Sequence, residues 1–328
     1  MAVDGTMVFF ATIALLAAGS LVDLHRVEVG SITVYTTPAL RDVLEKDIIK
    51  RWKAQGDLRV EPVYVTAGEQ YNRLRMSGAQ PEADIFLHAS PLYLSKGFEQ
   101  RHMLPIQLPD GMAPNETFRS KLGTDTGLAW YAFAWSPLVE VYSPRLSETP
   151  DLATSGLRYG LAHPTLSNNG VYTVAFFEKV SPEAGQHAKG RTVVQPVNAR
   201  TNILGVADGS FDVTLGYEAV AKFFQVQGAD IQYDIPLVNG NRSTTPVLFS
   251  VSLVRDGPHP LEARHFIEFL FAPETQRALA AYHFRSVLHE SGVQSHLPED
   301  LPLVLFDWDD WASVEDDLPK YEVMPNAD

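Results

Sequence analysis

Tyr217 closes the apolar stretch FDVTLGY and stands directly before a new helical pattern that starts at Glu218. A phenol at a strand end offers one directional hydrogen-bond donor and brings no charge. It serves equally as a ring packed at a surface. Asn169-Gly170 opens the helical run NNGVYTVAFF, where free N–H groups and the positive end of the helix dipole suit an anion, at about 0.3–1 kcal/mol per charge. An ordinary N-cap is the other reading of that pair. Glu69, His88, Asp125 and Tyr217 together hold oxygen and nitrogen atoms that a hard cation accepts. No fixed spacing links them, and a strand-end histidine such as His88 is more often structural than a ligand. The sequence contains no HExxH, GxSxG or P-loop pattern, so no enzyme is expected and no cofactor is implied.

These residues need elements to position them. In the segment Asn198 to Ala221, Ile203, Leu204 and Ala207 recur about one helical turn apart, the pattern breaks at Asp208-Gly209, and a β-branched and aromatic run follows. That is a helix handing over to a buried strand. Earlier in the chain, ITVYTT, LRVEPVYVTAG and ADIFLHAS read as strands, with two helices between them, the first opened by Pro38. Such alternation predicts a mainly parallel sheet covered on both faces, with ligands gathering at the strands' carboxyl ends. Those ends are Thr36-Thr37, Ala67 to Gln70 and His88 to Ser90. A second unit starts near the aromatic-rich strand TGLAWYAFAWSP and includes LRYGLAHPTLSNNGVYTVAFFEKV, read as a strand, a turn and a helix. TTPVLFSVSLV is another strand, and two helices separated by Pro273 follow it.

The chain of 328 residues, 45% of them hydrophobic, is long enough for two globular units. Its net charge of −14, without a basic cluster, leaves no footprint for nucleic acid. The lack of cysteine excludes disulfides, thiolate catalysis and Cys-type zinc sites. The uncharged run Met7 to Val22 suits the apolar region of a secretory signal, cleaved or kept as an anchor, although no basic residue precedes it.

Several motifs share an order and a spacing. Phe266, Phe269, Leu270, Pro273, Glu274, Gln276 and Phe284 form a FxxFLxxPExQ pattern with a closing aromatic. Asn198, Arg200, Val206, Gly209, Asp212 and Tyr217 fit NVRxxLxxVxxGEADxGIVY. With ITVYTTPALRDVL, NNGVYTVAFF and GAQPEADIFLHAS, they span most of residues 30–285. This series resembles the bacterial solute-binding proteins of ABC importers, in particular the molybdate, ferric-ion and phosphonate group.

The resemblance implies an α/β, type 2 periplasmic-binding fold: two lobes, each a mainly parallel sheet flanked by helices, joined by two crossing segments. Residues 30–128 plus 247–328 would form lobe one and 129–246 lobe two, behind a signal or lead-in at 1–29. The implied function is a non-enzymatic, periplasmic receptor that captures a small anionic solute and delivers it to an ABC permease, as a monomer. The implied contacts are Thr36, Thr37, Gly68, Glu69, Ala89 and Ser90 from lobe one, and Asn169, Gly170, Ala199, Arg200 and Tyr217 from lobe two. Tyr217 would lend its hydroxyl to the anion and Ala199 a backbone N–H. Two departures stand out. The first-strand serine of molybdate binders falls on Ala39, and Glu69 sits where a carboxylate repels a bare oxyanion by kilocalories. Glu69 would suit an aminoalkylphosphonate, or face solvent. The paired tyrosines of many ferric-ion binders, the alternative class, are absent. Trp308 and Trp311 resemble the terminal helix that closes such proteins onto lobe one.

Overall fold

The computed structural model describes residues 30–56, 58–78, 80–106, 108, 130–287, 301–306 and 308–323. The apolar N-terminal run and Asp125 lie outside the described residues.

Strand β1 (Ser31–Thr36) leads into a helical segment, α1. It is built from a 3-10 turn Pro38–Leu40, an α turn Arg41–Val43, a π turn Leu44–Ile48 and an α stretch Ile49–Ala54. Strand β2 (Arg59–Tyr64), helix α2 (Ala67–Met76), β3 (Ile85–His88), α3 (Pro91–Glu99) and the short β4 (Met103–Leu104) continue the expected alternation. β1 pairs in parallel with both β2 and β3. β2 is the edge strand, which is where Pro62 can sit without removing a ladder donor.

The next strand, β5 (Tyr131–Tyr142), is buried along its whole length and belongs to both halves of the molecule. β6 (Val213–Tyr217) and β7 (Gln232–Asp234) pair with its second half, Leu138 to Tyr142. A hairpin of β8 (Leu237–Val238) and β9 (Asn241–Arg242) follows. β10 (Pro246–Val254) then runs antiparallel to the first half of β5 and to β3, and β11 (Arg285–Ser286) caps β5. The sheet is therefore mixed. The parallel expectation holds for β1, β2 and β3, while the strands that cross between lobes come back antiparallel.

The second lobe carries α4 (Asn168–Val180), α5 (Pro182–Gly190), α6 (Ala199–Ala207) and α7 (Glu218–Val226). The strand expected in LRYGLA is reduced to single bridges of Tyr159 with Thr192 and Val213. The helix break at Asp208-Gly209 and the strand ending on Tyr217 fall where the pattern placed them. Helices α8 (Pro260–Phe271) and α9 (Pro273–Ala281) return to the first lobe, where the Gln276 amide donates to Phe133 O and Leu270 O and its oxygen accepts from Ser286.

Helix α10 (Trp308–Asp317) and a 3-10 turn, Leu318–Tyr321, end the described chain. The expectation set this helix on lobe one; it packs chiefly on α4 of lobe two. Trp311 meets the Tyr172 ring edge-on at 5.0 Å and Tyr321 stacks on Phe177, both rings that α4 presents. The Lys96–Glu315 ion pair links the same helix to α3. No described helix is long and apolar enough to cross a membrane.

Candidate functional site

The first wall is made by the carboxyl ends of β1 and β3, which lie side by side through the pairing of Thr36 with Leu87. Thr36 is fully buried and its hydroxyl has no partner. Thr37 caps the start of α1, accepting from Ala39 N at 3.5 Å. Thr66 caps α2, beside Gly68. Ala89 is buried, and Ser90 stands at the N-cap of α3 without a cap bond, its hydroxyl also unpartnered.

The second wall is made by helix starts of the other lobe. α4 begins after Ser167, which makes no cap bond. Asn168 and Asn169 are buried there; the Asn169 amide nitrogen donates to Leu215 O at 2.7 Å, and the amide oxygens of both are unpartnered. Gly170 lets this start close on the His163-Pro164 backbone. Asn198 caps α6 through Thr201 N at 3.0 Å, leaving Ala199 buried in the first turn. Tyr217 ends β6 and opens α7 without a cap bond. Its ring meets Phe249 edge-on at 5.6 Å, and burial, then the nearby Tyr172, raise its pKa well above the ordinary value of 10.0. The hydroxyl is a neutral donor.

Contacts between the lobes bring the walls together. Tyr93 of α3 donates to Thr165 O at 2.9 Å, and a Cβ on Gly68 would sit 3.1 Å from the same oxygen. α6 packs on the first turn of α1. An open groove of about 230 Å³ lies beside that contact, lined from one lobe by Ala39 and Asp42 and from the other by Arg200, Ala219 and Phe223.

Two of the expected contacts are committed elsewhere. The Arg200 guanidinium pairs with Asp42 across the lobes and lies over the Phe224 ring, 4.7 Å from its centre. Glu69 is about half exposed, and its carboxylate takes two hydrogen bonds from Arg73, one turn along α2. The other expected residues offer neutral hydroxyls, amides and helix starts at element ends. Among the described residues no group of three or more His, Asp or Glu could hold a metal ion. Asn168 and Ser250 were not singled out from sequence, and His88 was read there as a structural histidine or one of several cation ligands; all three are buried and carry an atom without a partner among the described residues.

The Arg200–Asp42 pair ties the lobes directly. Burial alone would raise the Asp42 carboxyl, but hydrogen bonds from Lys46 and Arg200 hold it below its ordinary value. A partly exposed pair of this kind is worth about 1 kcal/mol. Asp42→Asn should therefore raise the open population by about fivefold, read as a larger radius of gyration in solute-free small-angle scattering. An unchanged profile would mean the pair does not bias closure.

Two lobes on one mixed sheet, crossed by the long strands β5 and β10, are the architecture of two-lobed binding proteins. The family model of bacterial extracellular solute-binding proteins matches residues 32–285, and the chain belongs to that family. The family works outside the cytoplasm. Solved structures agree on the fold, which is the type 2 periplasmic-binding fold. The periplasmic binding protein AfuA from Actinobacillus pleuropneumoniae, with exogenous fructose-6-phosphate bound, is 16% identical, with 89% of this chain and 97% of that chain covered at a TM-score of 0.76. Iron-bound HitA from Pseudomonas aeruginosa is 17% identical, with 89% and 99% covered and a TM-score of 0.68. A periplasmic thiamin binding protein is 16% identical, with 89% and 94% covered and a TM-score of 0.69. No curated protein matches the chain.

Proposed function

We propose that this chain is the receptor of an ABC importer and that it captures a small anionic solute, an oxyanion or phosphonate, between its lobes, without turnover. The observation that carries the reading is the set of helix starts in the cleft. α3 and α4 begin with no side-chain cap bond among the described residues, and the buried Ser90 hydroxyl stands without a partner at the first of them; at α7 one first-turn donor, Ala219 N, is taken by Ser136 Oγ at 3.0 Å. Free N–H groups at a helix start hold anions by geometry and by the dipole. Neutral donors suffice, so the engagement of Arg200 by Asp42 is compatible with anion binding. Arg73 pairs with one oxygen of Glu69, which offsets the repulsion that this carboxylate would exert on an anion. Delivery to permease subunits, as a monomer, completes the proposal.

A thermal-shift panel tests it: molybdate, tungstate, sulfate, phosphate, methylphosphonate, ferric citrate and thiamine. A ligand at 100 times its Kd stabilises by about 2.7 kcal/mol. At least one anion is expected to raise the melting temperature and to be recovered unchanged. A response to ferric citrate alone would move the protein to the metal-binding class, and no response from any anion would overturn the reading.

A further inference from the structure

We infer that His88 is a solute-binding residue, its Nε2–H donating to an oxygen of the bound anion beside the hydroxyls of Ser90 and Ser250. This rests on the anionic-solute reading above. His88 is the last residue of β3, at the carboxyl end of the strand. Its Nδ1 accepts a hydrogen bond from Ser90 N at 3.1 Å. That bond occupies the Nδ1 lone pair and puts the proton of the neutral ring on Nε2. The Nε2–H is fully buried and has no partner among the described residues. The ring cannot turn away, because it is stacked on Phe86 at 5.0 Å and meets Tyr93 edge-on at 5.7 Å.

Two more unpartnered atoms surround this donor. Ser250 lies directly opposite His88 in the antiparallel register of β10 and β3, so the two side chains leave the same face of the sheet, with Cβ atoms about 5 Å apart. Its hydroxyl is buried and unsatisfied, as is that of Ser90. Tyr93, the ring beside His88, is the residue that reaches Thr165 of the other lobe, so this corner lies where the lobes meet. A buried donor left unmade is costly, and such an arrangement is kept where a ligand supplies the missing acceptor. Burial pushes the imidazole down to about 3, so the group stays a neutral donor at working pH. A neutral imidazole and two hydroxyls suit one oxygen of a phosphoryl, phosphonyl or similar group.

His88→Phe keeps a ring in the stack and removes the donor; His88→Gln keeps an N–H donor. With inorganic phosphate and methylphosphonate as probes in calorimetry, His88→Phe should bind the better probe about 10-fold more weakly or worse, and His88→Gln should recover part of that loss. Without any probe, His88→Phe should melt higher than the wild type, because an unsatisfied buried group has been removed. A purely structural histidine behaves the opposite way, with a lower melting temperature and unchanged affinity, and that result overturns the inference. So does binding within twofold of wild type. If His88→Phe melts lower and also binds worse, or does not fold, the Gln variant decides: binding closer to wild type supports the role, and binding lost as fully overturns it. A wild-type protein that binds neither these probes nor any other anion overturns the anionic reading, and this inference with it.

Discussion

Replacing Gly170 with alanine should cost about 3 kcal/mol or more of folding stability and abolish solute binding together with it. The position is the third residue of α4, in the turn that presents Asn168 and Asn169 to the cleft. A Cβ there would lie 2.5 Å from the His163 carbonyl carbon, 2.8 Å from Pro164 Cα, and closer still to the His163 oxygen. All three are backbone atoms, so no side chain can rotate out of the way. Nor can the 163–167 turn retreat freely. His163 N donates to Pro196 O at 2.8 Å, Ser167 N donates to His163 O at 3.0 Å, and Thr165 O receives the Tyr93 hydroxyl from the other lobe. Overpacking usually costs 1–3 kcal/mol, and a clash between two fixed backbones belongs at or above the top of that range. Gly190→Ala is the control, since a Cβ there meets nothing within 4 Å. It should stay within about 1 kcal/mol of wild type. Urea unfolding of both variants reads the difference; a Gly170→Ala protein as stable as the control would refute the close packing of α4 on the turn.

That glycine also shows what a sequence can carry. NNG before an apolar run reads as a helix start, and the structure begins α4 there. The handover from α6 to β6 was equally legible, because the apolar period changes from about one helical turn to a continuous run across a Gly-containing break. Pro38 and Pro273 open helical segments where proline belongs, at first positions. Pairing partners were not legible. β5 reads as one long strand whose pairing passes from β10 to β6 between Pro137 and Leu138; Pro137 marks the place of the change, but the partner on either side of it cannot be read from the pattern. The strand expected in LRYGLA fails at Gly160, whose missing side chain leaves room for the Phe211 ring; tertiary packing overrides the local pattern. The conspicuous charges have protein partners. Glu69 is followed four residues later by Arg73, a spacing that already pairs them on one helix face. The atoms left for a ligand are N–H groups and hydroxyls, which leave little trace in residue type. His88 read as a structural histidine because the bond that fixes its tautomer comes from a backbone two residues on.

A steep response to alkali is the other large expected effect, and it comes from Glu140 in the second half of β5. This side chain is fully buried. One carboxyl oxygen accepts from Leu237 N at 3.3 Å and the other has no partner. Burial raises its pKa well above the ordinary 4.5; the Leu237 bond works against that, and the nearby carboxylates of Asp151 and Asp234 add to it. The folded protein thus holds a proton that the unfolded chain releases near its ordinary value. Stability from this group is fully present below that value and is lost as pH rises from there towards the folded pKa, at up to about 1.4 kcal/mol per pH unit. His88 acts with the opposite sign. Its pKa is about 3 in the fold against 6.5 ordinarily, so its contribution grows as pH rises through that interval and is constant above it. Above pH 7 the contribution of His88 is constant. Glu140→Gln keeps an acceptor for Leu237 N and cannot ionise. Its unfolding free energy, from urea titrations at a series of pH values upward from 5, should exceed that of wild type by a margin that widens as pH rises towards the folded pKa of Glu140. Because His88 is common to both proteins, the difference isolates the carboxyl, and a margin that does not change with pH would show that Glu140 carries no retained proton.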